Sequence, residues 1–186
     1  VSAVLEATPV FVAQQLDCVF QDIRPDAVKI GMVSNADIIR AIADKLREYR
    51  AEHIVVDPVM VATSGSSLMR DSALAALTEE LFPLAEVITP NLPEAERLCG
   101  FAIEDEAAML RAAEAIGGTL PGAVLIKGGH RADDADDLLW LRGEAHWFRA
   151  RRVDNPNNHG SGCTLSSAIA SFLALGCALS PAAEKA

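Results

Sequence analysis

Residues 157–166 read Asn-Asn-His-Gly-Ser-Gly-Cys-Thr-Leu-Ser and run straight into the apolar stretch SAIASFLALG. Gly160 and Gly162, on either side of Ser161, strip side chains from the backbone where a helix N-terminus leaves N–H groups without partners. Such a turn suits the close approach of an anion. Cys163 falls in the first helical turn, where the field of the helix favours a thiolate. The plainer reading of Cys163 is a small residue tolerated in a tight turn, and the local sequence leaves both open. The pattern is not a dinucleotide fingerprint, because Leu165 stands where the third glycine belongs, and no GxxxxGK[ST] occurs anywhere.

Other residues carry compatible chemistry. Asp57 closes the buried run Ile54-Val55-Val56 and needs a partner, a role a metal ion would fill. Lys127 closes the apolar run GAVLI with two glycines behind it. Asn91 and Glu94 lie in NLPEAE. Two carboxylates, a lysine and a helix N-terminus make an inventory for Mg²⁺ and phosphate. Each has a plainer role: Glu94 as a solvated first-turn residue, Lys127 as partner to a nearby carboxylate. Lys127 and Glu94 are both placed on the rim, so replacing either should leave folding nearly unchanged. His130 and His159 read as polar loop residues suited to hydrogen bonding rather than metal ligation. Asp133-Asp134 reads as a solvated loop. Met32, Val59 and Met60 read as core, with one or two flooring a pocket.

The elements that must position these residues alternate along the chain. Thr8-Pro9 is a cap and first-turn proline ahead of Val12, Leu16, Val19, Phe20 and Ile23 at helical spacing. DAVKIGM is a strand. Ser34 can cap a helix with the face Ile38, Ile39, Ile42, Leu46 and Tyr49. HIVVDP is a second strand, and Asp71 opens a helix carrying Leu74, Leu77 and Leu81. AEVITPN is a third strand, followed by a short helix from Pro93. Met109, Leu110, Ala113 and Ile116 mark another helix, and GAVLIKGG a fourth strand. DDLLWL and AHWFRA, split by Arg142-Gly143, read as a hairpin. The last apolar helix shows Leu165, Ala168, Ile169, Phe172 and Leu173 on one face and stops at Gly176. Strands apolar on both faces, alternating with amphipathic helices, predict an α/β fold: a mainly parallel sheet with helices on both faces. Ligands in such sheets sit beyond the carboxyl ends of the strands, where Gly31-Met32, Asp57–Met60, Asn91 and Glu94, Lys127–His130 and the Gly160–Cys163 turn stand.

Composition bounds the function further. The 186 residues are 51% hydrophobic and 23% charged, as for a soluble globular chain with a sizeable core. A formal net charge of −10 with no basic block argues against a nucleic-acid or anionic-membrane surface, so any phosphate site must be local. No run reaches a membrane span, and no signal peptide opens the chain. Cys18, Cys99, Cys163 and Cys177 form no metal-binding spacing. Cys18 and Cys99 fit apolar helical patterns as buried small residues, and a reducing cytoplasm follows. The chain begins at Val1 and stops in SPAAEKA, where a helix is starting. It is read as a single domain over 1–186, the interior of a longer protein.

Taken in order, KIGM, VVDPVM, ITPNLPEAE, VLIKGGH and HGSGCTLSSAIA resemble the hydroxymethylpyrimidine and hydroxymethylpyrimidine phosphate kinases of the ribokinase-like superfamily, across nearly the whole chain. The resemblance implies a kinase of thiamine biosynthesis that uses ATP and Mg²⁺. It would phosphorylate 4-amino-5-hydroxymethyl-2-methylpyrimidine and then the monophosphate. It implies that Gly160, Ser161 and Gly162 form an anion hole for the moving phosphoryl group and that Cys163 is the general base. Asn91 and Glu94 would organise the metal and nucleotide phosphates, Asp57 would lie by the metal, and Lys127 and His159 would face the nucleotide. Met32 and Val59 would touch the pyrimidine. Asn158 and Ser161 replace two threonines of the usual pattern. Ser161 keeps the hydroxyl, whereas Asn158 and Pro156 alter the loop expected to cover the nucleotide. A homodimer is usual in the family. The family's N-terminal substrate strands and final helices are expected outside these residues. Three rivals remain at this stage: a pyridoxal kinase of the same superfamily, a cysteine hydrolase using Cys163 and His159, and a non-catalytic sensor of phosphate ligands.

Overall fold

A computed structural model describes residues 5–60, 69–129, 135–150 and 160–186. Six strands lie in one sheet in the order of the chain: β1 (Val28–Ile30), β2 (Ile54–Val56), β3 (Val87–Ile88), β4 (Ala123–Ile126), β5 (Asp137–Leu141) and β6 (Glu144–Phe148). The first four pair in parallel, with Val56 opposite Ile88 and Ile88 opposite Val124. β5 and β6 complete the sheet antiparallel. The two turn residues of that hairpin, Arg142 and Gly143, both take left-handed backbone angles (φ 53° and 87°). This handedness matches the twist of the flanking strands.

Among the described residues seven α-helices connect and cover the sheet: α1 (Pro9–Asp22), α2 (Ala36–Glu48), α3 (Asp71–Ala76), α4 (Leu92–Cys99), α5 (Glu106–Gly117), α6 (Ser161–Ala174) and α7 (Leu179–Lys185). A π-helical turn, Leu77–Leu81, and a 3₁₀ turn, Phe82–Leu84, continue α3 toward β3. Parallel neighbours joined in strict sequence, each by a right-handed crossover, put their connecting helices on one face. The packing follows. Ile54, Val56, Ile88, Val124 and Ile126 bury against α2–α5, together with Phe20 of α1. The alternate residues Val55, Val87, Ala123 and Leu125 face the other way, against Ile169 and Leu173 of α6 and Leu179 and Ala182 of α7. The period-two alternation of a strand thus builds two cores from one run of apolar residues.

Three expectations change. The cap of α2 is Asn35, whose Oδ1 accepts from the N–H groups of Asp37 and Ile38, rather than Ser34; both residue types cap well, and the crossover geometry chooses one. Cys18 is exposed, and Cys99 only partly buried. On α1, Phe20 is buried while Val19 and Ile23 are 51% and 74% exposed, so the packed stripe is narrower than the apolar pattern.

Candidate active site

Asp57 follows β2 directly, and Lys127 follows β4. Strand alternation sends both side chains, with Thr89 beyond β3, to the face that α6 covers, since Val55, Val87 and Leu125 share their parity. Neighbouring strands are about 4.8 Å apart, so β2 and β4 stand roughly 10 Å apart across β3, a gap that a lysine side chain helps to span. Lys127 makes that reach: its Nζ lies 2.8 Å from Asp57 Oδ1. Asp57 is 2% exposed and the Lys127 side chain 14%, so the pair sits largely out of water. A buried carboxylate without such a partner would be costly. The pairing of Lys127 with a nearby carboxylate, one of the two roles the sequence leaves open, is the contact this structure shows for Asp57.

Two hydroxyls complete the surroundings of Asp57. Thr89 Oγ1 lies 3.4 Å from Oδ1 and Ser166 Oγ 3.4 Å from Oδ2. Neither residue stood out in the sequence. Thr89 was nonetheless detectable, because it holds the same parity after β3 that Asp57 holds after β2.

Above the pair stands the start of α6. Gly160 has φ 86°, a left-handed conformation that glycine adopts without penalty, and offers no capping side chain. The first backbone bond of the helix runs from the Thr164 N–H to the Gly160 carbonyl. The N–H groups of Ser161, Gly162 and Cys163 therefore precede the helix ladder, and no side chain among the described residues caps them. A β-carbon built on Gly162 would stand 3.0 Å from Lys127 Nζ and 4.0 Å from Asp57 Oδ2. Cys163 and Ser161 are exposed. An amide-rich, positively polarised turn thus lies directly over a buried cation.

Asn91 and Glu94 form a reciprocal cap on α4. Asn91 Oδ1 accepts from the Glu94 N–H at 2.9 Å, and Glu94 Oε2 accepts from the Asn91 N–H at 2.8 Å. Glu94 Oε1 also accepts from the Met60 N–H at 3.3 Å, which ties the chain beyond Asp57 to α4. Glu94 is 3% exposed, so its placement on an open rim is corrected: a capping box turned inward buries its glutamate. Burial is the main influence on the Glu94 carboxyl and raises it above the usual range. The Asn91 N–H, the Lys127 charge and the Met60 N–H oppose this, and the Asp57 charge adds to it. Asn91 bridges to Lys127 in parallel register, and the Lys127 N–H donates to the Pro90 carbonyl at 2.9 Å, so the cap and the lysine are held together.

Met60 is fully buried, as expected. Val59 is partly buried, and Met32 is 44% exposed, two residues past β1, so it does not belong to the core. His159, with His130, Asp133-Asp134, Pro156 and Asn158, lies outside the described residues. Among the described residues no three His, Cys, Asp or Glu side chains converge as a ready-made metal cage. Asp57 and Glu94 still fit Mg²⁺, which keeps several waters and usually takes one or two carboxylates beside substrate phosphates. The oxygens of both carboxylates retain acceptor capacity beyond the contacts above.

Comparison with known proteins agrees with this geometry. A phosphomethylpyrimidine kinase family model matches residues 1–186. The thiamine biosynthesis bifunctional protein of Geobacter sulfurreducens is 49% identical over 187 residues, covering 100% of this chain and 38% of that protein. The chain therefore spans well under half of that relative. The crystal structure of a phosphomethylpyrimidine kinase from Clostridium difficile 630 superposes with a TM-score of 0.85 at 40% identity, covering 98% of this chain and 75% of that one. An ADP complex of Bacillus subtilis pyridoxal kinase gives a TM-score of 0.88 at 34% identity, covering 97% and 68%. The fold is that of the ribokinase-like kinases on which it superposes. Within that class, the chain belongs to the phosphomethylpyrimidine kinase family. No helix among the described residues is long and apolar enough to cross a membrane.

Proposed function

We propose that the protein containing this chain transfers the γ-phosphoryl group of ATP to 4-amino-5-hydroxymethyl-2-methylpyrimidine and then to its monophosphate, in thiamine biosynthesis. The observation that carries this is the first turn of α6, without a side-chain cap among the described residues, standing over the buried Lys127–Asp57 pair. Phosphoryl transfer asks chiefly for positioning and for stabilisation of charge on the moving group, and preorganised amides and an ammonium supply both. The N–H groups of Gly160, Ser161, Gly162 and Cys163 receive the phosphoryl oxygens. Cys163 takes the alcohol proton as the substrate oxygen bonds to phosphorus and the bond to the bridging oxygen of ADP breaks. Lys127, Asn91, Glu94 and His159 hold the nucleotide end. Mg²⁺, when bound beside Asp57 and Glu94, neutralises phosphate charge. Met32 and Val59 face the pyrimidine.

Phosphorylation assays on the complete natural protein, with the pyrimidine alcohol and pyridoxal side by side, test this reading. Turnover of the pyrimidine supports it. The likeness to an ADP-bound pyridoxal kinase favours one second reading, and turnover of pyridoxal alone would install that reading instead. ATP binding without ADP release with either alcohol would mark a sensor. A homodimer and a cytoplasmic location belong to the same reading, and light scattering in solution checks the first.

A further inference from the structure

Lys127 has two anions to serve. At rest its ammonium lies 2.8 Å from Asp57 Oδ1, yet the proposed function also asks it to meet a phosphate under Gly162. When its charge is shared with a phosphate, Asp57, 2% exposed, has less of its one cationic partner among the described residues. A buried carboxylate in that position needs other donors or must hold the lysine back.

The donors are in place. Thr89 and Ser166 are both fully buried, at 0% exposure, and their hydroxyls approach opposite oxygens of Asp57, each at 3.4 Å. That distance is long for a hydroxyl–carboxylate bond, so both contacts are loose while Lys127 carries the pair and have room to shorten. For Thr89 the contact with Asp57 is the one side-chain bond its hydroxyl makes among the described residues. Packing gives no reason for a hydroxyl there, since valine has the same shape. Ser166 has an alternative: the carbonyls of Gly162 and Cys163 lie 2.9 and 3.2 Å from its Oγ. One hydroxyl proton cannot serve all three acceptors at full strength. Bonding to a carbonyl one turn back is what any helical serine does; standing against a buried carboxylate as well is not.

Resting on the kinase reading, we propose that Thr89 and Ser166 are positioning residues that hold Asp57 through its second set of donors and so free Lys127 for the phosphate. The serine hydroxyl rests against the first-turn carbonyls of α6 and turns to Asp57 as the ammonium moves away. The nucleotide-binding turn and the lysine beneath it are thereby linked through one side chain.

The test uses Thr89→Val and Ser166→Ala in the complete protein, each alone and combined with Lys127→Ala. Affinity for ADP is read by calorimetry, melting by scanning calorimetry, and turnover with the pyrimidine alcohol alongside. With Lys127 present, each variant should weaken ADP binding and lower kcat, by about tenfold for a lost hydrogen bond to a charged group. With Lys127 already removed, the same variants should change ADP affinity less than twofold. A structural role would give the same loss of affinity in both backgrounds, and that result overturns the proposal. Unchanged affinity in the presence of Lys127 overturns it too. Ser166→Thr keeps the hydroxyl and should recover most of the ADP affinity lost by Ser166→Ala; failure to recover it in a folded variant counts against the role. An inactive wild type that still binds ADP with the non-additive pattern would sink the kinase reading but leave the link between the hydroxyls and Lys127 standing.

Discussion

Gly162 and Lys127 approach so closely that a single added methyl group must move the ammonium. A β-carbon on Gly162 would lie 3.0 Å from Nζ, tighter than nearly all real contacts, and 3.7 Å from Cε. Gly162 is in the first turn of α6, where alanine is a better helix former by about 1 kcal/mol. Gly162→Ala should therefore leave the melting midpoint nearly unchanged while lowering turnover, because the ammonium beneath the turn must give by a few tenths of an ångström. A destabilised variant with full turnover would contradict this geometry.

Replacing Glu94 or Lys127 should affect both activity and folding. Glu94→Ala breaks half of the cap on α4 and releases the Met60 N–H, at a cost of about 1–3 kcal/mol in urea unfolding. Lys127→Ala leaves the buried Asp57 without its cation and with only the long hydroxyl contacts of Thr89 and Ser166, at a cost of about 3–5 kcal/mol. Each should also lower turnover roughly tenfold or more through lost charge stabilisation at the phosphates or metal. Adding Asp57→Asn to Lys127→Ala should restore part of the stability but none of the turnover. A Lys127→Ala protein as stable as wild type would mean the pair is solvated.

Cys163 separates base catalysis from binding. Cys163→Ala removes the proposed base but keeps the backbone amides, so turnover should fall by roughly 10²-fold or more with ATP affinity nearly unchanged. Cys163→Asp supplies another base at the cost of repulsion with the incoming phosphate, partly offset by the helix N-terminus, and should fall between wild type and alanine. A cysteine hydrolase would lose all activity with aspartate, because a carboxylate does not replace an acyl-forming thiolate. Equal turnover in wild type and both variants would remove Cys163 from the mechanism.

The burial of Glu94 has a signature in pH. Its carboxyl titrates higher in the folded chain than its ordinary value of 4.5, chiefly because it is buried. The folded state therefore takes up this proton before the unfolded state does. The group's contribution to stability is least favourable above its raised value and improves as pH falls toward 4.5. Glu94→Gln abolishes that titration. Without nucleotide, the stability difference between wild type and Glu94→Gln should shift in favour of wild type as pH is lowered from neutral toward 4.5. A flat difference, or one moving the other way, would place Glu94 in water.

Much of this was legible because two periodicities and a few capping residues determine most of the architecture. Runs such as Ile54-Val55-Val56 announced strands buried on both faces, and Arg142-Gly143 announced the hairpin. The rim residues Asp57, Lys127 and Gly162 were found by their places after strands and before a helix, and the structure brings them together. What escaped depended on three-dimensional partners. Ser34 and Asn35 are equally good caps on paper. Glu94 looks solvated until α4 is packed with its first turn inward. Ser166 is one small polar residue in an apolar helix, and only the seating of α6 over β2 gives it a carboxylate to face. The five-residue π-helical turn at Leu77–Leu81 has no sequence signature of its own.

The way the sheet is covered sets the order in which the site can come into being. α1–α5 lie among or before the parallel strands they cover, so that layer can consolidate as the polypeptide emerges during synthesis. The opposite layer waits. Val55, Val87, Ala123 and Leu125 are covered in the described structure by α6 and α7, which are made after β1–β6. The anion turn arrives with the same helix that seals this surface. A nascent chain therefore exposes a greasy sheet until the moment it acquires the turn proposed to bind phosphate, and any fluctuation that lifts α6 would dismantle that proposed site and expose a sticky surface in one event.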